Sequence, residues 1–127
     1  MPLVRIDVPA SRSAAELRAL GDSVHRAMVE TLGAPADDKF QVVTGHAPGE
    51  LNVTPSYLGI AHGEGVVVVQ ITLNQGRSVE QKRAFYRRLA DDLHAAHGIR
   101  REDLIVSLVE VPKENWSFGN GDAPYAR

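Results

Sequence analysis

The chain has 127 residues with 14 lysines and arginines against 16 aspartates and glutamates, and its net charge of −2 excludes a basic surface for nucleic acid or anionic lipid. The absence of cysteine excludes disulfides, thiol catalysis and thiolate metal sites. The length predicts a single domain over residues 1–127, and we expect it in the cytoplasm because the sequence has no signal-peptide pattern and no apolar run of membrane-spanning length.

The first predicted element is a strand from Leu3 to Val8, in which apolar residues alternate with charged ones. Met1 and Pro2 precede it, and we expect Met1 to be removed, which would leave Pro2 with a free secondary amine. An amine at the start of a buried strand is partly desolvated, so it can be tuned for acid or base catalysis or for attack on a carbonyl. Alternatively, Pro2 only leads the strand, where no N–H group is needed.

A helix follows, because Ser13 and Glu16 have the spacing of a capping box and Gly33 is a typical helix stop. Its predicted buried face consists of Leu17, Leu20, Val24, Met28 and Leu32. The segment from Phe40 to Val43 then predicts a returning strand, which completes a β-α-β unit.

The same pattern recurs 65 residues later, where Arg77-Ser78 corresponds to Arg12-Ser13 and Gly98 to Gly33. The two halves, about residues 2–46 and 66–110, each predict a parallel strand pair joined by a right-handed helical crossover. We therefore predict an α+β fold in which two β-α-β repeats form a four-stranded sheet with both helices on one face.

The opposite face of this sheet has no predicted covering layer and carries Leu, Val and Ile residues, which predicts a closed oligomer with the sheets packed inward. Residues 47–65, rich in Gly and Pro, are predicted to be the loop between the halves. Residues 116–121 are predicted to form a short aromatic strand and a turn that reaches a neighbouring subunit.

These features together resemble the tautomerase superfamily, whose members use an N-terminal proline as the catalytic amine. Three segments resemble its malonate semialdehyde decarboxylase group in particular: residues 35–44, residues 74–82 and Asn115-Trp116-Ser117-Phe118-Gly119. The resemblance covers nearly the whole chain and implies a tautomerase-like fold, a homotrimer and no cofactor.

The resemblance also implies site residues. The catalytic proline corresponds to Pro2, the active-site aspartate to Asp38, and Arg77 supplies a guanidinium for a substrate carboxylate. The arginine pair of the decarboxylase prototype is absent, since Asn74 and Gly76 stand nearby. The residues alone also allow a surface role for Arg77, at a helix start that a cation does not favour, and a turn-capping role for Asp38.

Asn74, Trp116 and Phe118 are the predicted substrate-binding residues. The two aromatic side chains would exclude water from the pocket, although they are equally compatible with a place in the core or in a subunit interface. The five histidines have no metal-ligand spacing and are expected to face solvent, so no metal is predicted.

Several reactions fit these residues. A neutral Pro2 amine would tautomerise a small 2-keto acid, whereas a protonated one would support decarboxylation of a 3-oxo acid such as malonate semialdehyde. The alternatives are hydration or dehalogenation of unsaturated three-carbon acids, or a catalytically silent trimer that binds a small ligand. In each case the expected partner is a small carboxylate, and neither nucleic acid nor a membrane.

Overall fold

The computed structural model describes residues 2–9 and 12–125. Its regular elements, in chain order, are β1 (Leu3–Pro9), α1 (Ala14–Leu32), β2 (Gln41–His46), β3 (Ser56–Tyr57), β4 (Ile60–Ala61), β5 (Val67–Asn74), α2 (Val79–His97) and β6 (Leu104–Val111). Short 3-10 turns cover Arg101–Asp103 and Lys113–Asn115. Within the described ranges, neither helix has an apolar stretch that would let it cross a membrane.

The main sheet has four strands in the order β2-β1-β5-β6. β1 is parallel to β2 and β5 is parallel to β6, as each β-α-β crossover requires, while β1 and β5 are antiparallel at the centre. The predicted architecture of two repeats, four strands and two helices is therefore confirmed.

Both helices begin and end where local sequence signals predict. Ser13 and Ser78 each accept a hydrogen bond from the main chain three residues on, and the side chain at that position bonds back, so both capping boxes form. Gly33 and Gly98 end the helices in the left-handed conformation, with φ angles of 69° and 66°. Because glycine has no Cβ, it adopts this conformation at little cost.

The core lies between the two helices and one face of the sheet. Along β1 and β5 every second residue points into it, and the helices contribute their apolar stripes. The largest fully buried side chains are Phe85, Ile6, Leu20, Met28, Ile71, Leu73, Leu89, Leu93, Val8, Val24, Val67 and Val69. Each such side chain contributes about 1.5–3 kcal/mol through its removal from water.

The opposite face of the sheet, which we call the open face, is partly exposed in the protomer. Leu3, Val42 and Val109 on this face are 38%, 42% and 36% exposed. One row across it is largely polar, since Val42 pairs with Arg5, Arg5 with Gln70, and Gln70 with Ser107. The open face therefore carries polar residues among the Leu, Val and Ile residues expected from the sequence, and Thr72 also separates Leu3 from Val109.

The segment between the halves contains a β-hairpin that the sequence analysis did not predict. β3 and β4 are antiparallel, and Leu58 and Gly59 between them have φ angles of 50° and 79°. Two successive left-handed residues form the type I′ turn that matches the twist of a hairpin. A leucine rarely adopts this conformation, and here its side chain is 86% exposed at the tip.

The predicted strand within residues 116–121 is wrong, because residues 116–118 have no strand pairing. β6 ends at Val111, and Pro112 has no N–H group with which to continue the ladder. The predicted turn is present, since the Asp122 N–H donates to the Gly119 carbonyl at 3.2 Å. The aromatic side chains of this segment pack across the end of the sheet instead.

Candidate active site

Pro2 is buried at the end of the sheet, directly before β1. The adjacent pairings define its neighbours: the Val4 N–H donates to the Phe40 carbonyl at 2.9 Å, and Leu3 is paired with Thr72 of β5. The same register puts Pro2 beside the segment that leads into β2 on one side and beside the end of β5 on the other. Pro2 as a whole residue is thus buried at the edge of these pairings.

Asp38 lies in the segment that leads into β2 and is half-buried. Its main-chain N–H donates to the Pro35 carbonyl at 3.1 Å, which closes the turn after α1. The neighbouring cation, Lys39, forms an ion pair with Asp22 of α1, and this hydrogen bond holds the pKa of Asp22 below its ordinary value. The side chain of Lys39 is therefore directed to α1, and Asp38 precedes it in the segment that leads into β2.

Arg77 is half-buried and joins two elements. Its Nε donates to the Leu32 carbonyl at 2.9 Å and its Nη1 to the Asn74 carbonyl at 3.0 Å. The guanidinium therefore lies at the carboxyl end of α1, where a cation is favoured and where the last turn of α1 has no basic residue. The unfavourable interaction of Arg77 with the start of α2, expected from the sequence, is thus offset by its position at the end of α1. The two bonds leave the Nη2 group and one Nη1 hydrogen of Arg77 as further donors.

Asn74, the last residue of β5, is contacted from two directions. Its main-chain carbonyl accepts the bond from Arg77, and its side-chain Oδ1 accepts a hydrogen bond from Trp116 Nε1 at 2.7 Å. The next residue, Gln75, donates its N–H to the Val111 carbonyl at 3.1 Å. The end of β5 is consequently held to β6 and to the carboxyl-terminal segment.

Four aromatic rings form a wall at this end of the sheet. Trp116 and Phe118 are stacked with centroids 5.3 Å apart, Phe118 lies 5.7 Å from Phe40, and Tyr125 meets Phe118 edge-on at 6.3 Å. Sequence reasoning did not identify Phe40 or Tyr125 as site residues. The position of Phe40 directly before β2 was an available signal, whereas the position of Tyr125 depends on how the final segment folds back.

Glu110 of β6 is a second carboxylate in this region that sequence reasoning missed. It forms an ion pair with Lys82 and accepts a hydrogen bond from the Gly76 N–H at 3.4 Å. The hydrogen bond from Lys82, and more weakly the charge of Arg77, lowers the pKa of Glu110. Glu110 therefore keeps its negative charge and anchors the glycine turn between β5 and Arg77.

Four of the predicted site residues form one connected group. Asn74, Arg77, Trp116 and Phe118 are linked by hydrogen bonds and stacking, and Phe40 extends this wall to the segment that leads into β2. Pro2 is buried at the same end of the sheet, and Asp38 lies in the segment that leads into β2. This end of the sheet thus has a buried proline, a carboxylate, guanidinium donors and aromatic side chains, groups that suit acid–base chemistry on a small carboxylate.

A cavity of about 730 Å³ lies at the other end of β1, and Pro2 is not among its lining residues. It is lined in part by His46, whose Nε2 lies 2.7 Å from Asp7 Oδ1. His97 is also half-buried, with its Nε2 2.9 Å from Ser23 Oγ. The expectation that all the histidines face solvent is therefore wrong, because these two bond to side chains of the sheet and of α1.

Comparison with known proteins shows the family to which the chain belongs. A family model described as tautomerase enzyme matches residues 38–119, and a second with the same description matches residues 2–60. The chain belongs to the tautomerase family. It is 37% identical over 123 residues to the probable tautomerase YusQ of Bacillus subtilis (strain 168), and the alignment covers 97% of each chain.

Two solved structures are similar to this tautomerase over nearly all of its length. A malonate semialdehyde decarboxylase studied for its decarboxylase and hydratase activities is 39% identical, with a TM-score of 0.86 and coverage of 95% of this chain and 93% of that one. The FG41 malonate semialdehyde decarboxylase, inhibited by 3-bromopropiolate, is 35% identical, with a TM-score of 0.87 and coverage of 97% and 93%. The protein is thus a tautomerase-superfamily enzyme that is structurally similar to malonate semialdehyde decarboxylase.

Proposed function

We propose that the Pro2 amine, freed by removal of Met1, catalyses proton transfer or decarboxylation on a small 2-keto or 3-oxo carboxylic acid. The observation that carries this proposal is the burial of Pro2 at the end of the sheet where Asn74, Arg77 and the aromatic wall meet. A buried amine loses part of the solvation of its charged form, so its protonation can respond to the site rather than to bulk water.

In the tautomerase reaction, the neutral Pro2 amine takes the proton from the enol oxygen and returns it to carbon, which converts the enol into the ketone. Arg77 holds the substrate carboxylate with its remaining donors, and Asp38 orients the reacting enol. The aromatic wall excludes water and thereby strengthens these charge interactions.

In the decarboxylase reaction, the protonated Pro2 amine polarises the carbonyl of a 3-oxo acid. The bond between the carboxylate carbon and the α-carbon breaks, its electron pair moves toward the carbonyl to give an enolate, and carbon dioxide leaves. The α-carbon then takes the proton of the Pro2 ammonium group, and a proton from water restores that group. The structural similarity to malonate semialdehyde decarboxylases supports this reaction, so malonate semialdehyde is one of the two substrates in the test below.

We further propose that the working form is a homotrimer in which the open faces of three protomers pack together. The exposed leucine and valine side chains of the open face support this assembly, and the similar structures include one symmetric trimer of a fused 4-OT at 26% identity. Packing of the open faces would also cover the end of the sheet near Pro2.

The test compares Met1-free wild type with Pro2→Ala on phenylpyruvate enol and on malonate semialdehyde, after the intact mass has verified processing. We expect the wild type to turn over at least one acid and Pro2→Ala to lose about 100-fold or more in kcat, the usual contribution of a positioned acid or base. The preferred acid separates tautomerase from decarboxylase.

A second test uses a form extended at its amino terminus, in which the Pro2 nitrogen is part of an amide bond. A form extended at its carboxyl terminus is the control. We expect the first to be inactive and the second to match the wild type. Full activity of the amino-terminally extended form would refute catalysis by the Pro2 amine. Turnover only of an acetylenic acid would favour the hydratase alternative, and an inactive, ligand-binding wild type would favour the silent trimer.

A further inference from the structure

The hydrogen bond between Trp116 and Asn74 determines which way the Asn74 side-chain amide faces. An indole N–H can only donate, so the atom that faces Trp116 Nε1 at 2.7 Å must be the amide oxygen. The reversed amide would bring two donors together. The side-chain Oδ1 of Asn74 therefore faces Trp116, and its Nδ2 amino group points away from Trp116.

The partners of this hydrogen bond are themselves held in place. Trp116 is stacked on Phe118 with an angle of 14° between the rings, and Phe118 packs against Phe40. The main chain of Asn74 is bonded to Arg77 and is paired with Val111 of β6. The amide thus has little freedom to rotate, which is what a preorganised hydrogen-bond donor requires.

The Asn74 amino group is also accessible. Among residues 2–9 and 12–125, no protein acceptor lies within hydrogen-bonding distance of Nδ2, and no buried side-chain polar atom lacks a partner. Nδ2 is therefore not fully buried and is open to solvent at this end of the sheet. Asn74 lies on the strand that pairs with β1, at the same end as Pro2.

We propose that Asn74 Nδ2 donates a hydrogen bond to the carbonyl or enol oxygen of the substrate, and that Trp116 is the positioning residue that keeps this donor in place. The proposal rests on the proposed function and specifies the substrate class. Because the amide is neutral, it suits an uncharged carbonyl oxygen, while Arg77 takes the single carboxylate. The site therefore favours oxo monocarboxylates over oxo dicarboxylates.

The experiment measures kcat and KM on the acid that the wild type prefers, for Asn74→Ala, Asn74→Asp and the exposed control Asn52→Ala. Asn74→Asp keeps an acceptor for Trp116 but replaces the donor with a negative charge. We expect about a tenfold loss of kcat for Asn74→Ala, a larger loss for Asn74→Asp, and little change in KM, because the bond strengthens as charge develops on the oxygen. The control should equal the wild type.

The role of Trp116 is tested by Trp116→Phe, alone and combined with Asn74→Ala. The phenylalanine keeps the stacking and removes the N–H, so we expect a several-fold loss of kcat in the wild-type background and none in the Asn74→Ala background. Losses that add in the double variant would show a merely structural role for Trp116. Unchanged kcat in Asn74→Ala would overturn the assignment of the donor.

These results distinguish the two proposals. If Pro2→Ala is inactive while Asn74→Ala retains full kcat, the catalytic amine stands and the donor assignment fails. A wild type that turns over neither acid would overturn both. Comparable kcat/KM for a 2-oxo dicarboxylate and a 2-oxo monocarboxylate of similar length would refute the inferred substrate class.

Discussion

Arg77 combines a structural role with its proposed catalytic one. Two of its nitrogen atoms donate to the main-chain carbonyls of Leu32 and Asn74, so the guanidinium joins the end of α1 to the end of β5. Arginine suits this position because its planar group has five N–H donors, enough for two carbonyls and a substrate carboxylate together. The same bonds fix the direction in which its remaining donors point.

For Arg77→Ala, we expect loss of turnover together with a decrease of about 1–3 kcal/mol in the free energy of unfolding, because buried carbonyls lose their donors. Kinetics on the carboxylate substrate and urea denaturation measure the two effects. Arg77→Lys is the matched control, since it keeps the charge but cannot make the same set of bonds. An alanine variant with wild-type stability would contradict the structural role, and one with wild-type kinetics would remove Arg77 from the site.

Among the secondary-structure elements, the two helices are connected by a buried polar contact. Ser23 of α1 is 4% exposed and bonds to His97, the last residue of α2. Burial, followed by the charges of Arg12 and Arg26, lowers the pKa of His97 from its ordinary value of 6.5. Protonation of His97 is therefore less favourable in the folded chain than in the unfolded one.

This difference predicts a pH dependence of stability. Below about pH 6.5 the unfolded chain binds a proton at His97 that the folded chain resists, so stability should fall as the pH decreases toward the lowered pKa. Urea denaturation of wild type and His97→Gln between about pH 5 and 7.5 measures this effect. Glutamine keeps a polar partner for Ser23 but does not titrate, so the free energy of unfolding of His97→Gln should change less with pH than that of the wild type. An equal change in both proteins would exclude His97 as the origin of the pH dependence.

For the whole molecule, the open face supports the proposed assembly. Leu3, Val42 and Val109 are more than a third exposed there, and Val42 ends the row that contains Arg5, Gln70 and Ser107. Single apolar side chains are normal on a surface, but several of them exposed on one regular sheet face are typical of an interface. The polar side chains of this row would give the contacts between subunits their register.

We expect Val109→Glu to dissociate the proposed trimer into monomers, because Val109 pairs with the uncharged Thr72, and burying an unpaired carboxylate in an apolar interface costs about 2–7 kcal/mol or more. Sedimentation velocity measures the assembly state, and the activity assay should fall in parallel. Val79→Glu is the control, since Val79 is 56% exposed at the start of α2, away from the open face. A trimer that persists in Val109→Glu, or a wild type that is monomeric at micromolar concentration, would contradict the proposed packing.

Local sequence patterns were sufficient to predict the elements that depend on neighbours in the chain. Capping boxes act over three residues and glycine stops over one turn, so the ends of both helices could be read directly from Ser13, Gly33 and their counterparts. Strand alternation likewise predicted the sheet, and the repeat predicted its symmetry. The same local reasoning missed the hairpin, because a leucine in a left-handed turn is not a recognised turn signal.

The contacts that hold the candidate site together depend on tertiary packing. Arg77 bonds to a carbonyl 45 residues away, and Trp116 bonds to an amide 42 residues away. Partners this far apart in the chain meet only because the elements pack in one particular way, and periodicity contains no information about such contacts. The fold was therefore predictable from local patterns, whereas the orientation of the Asn74 amide and the double role of Arg77 followed from packing.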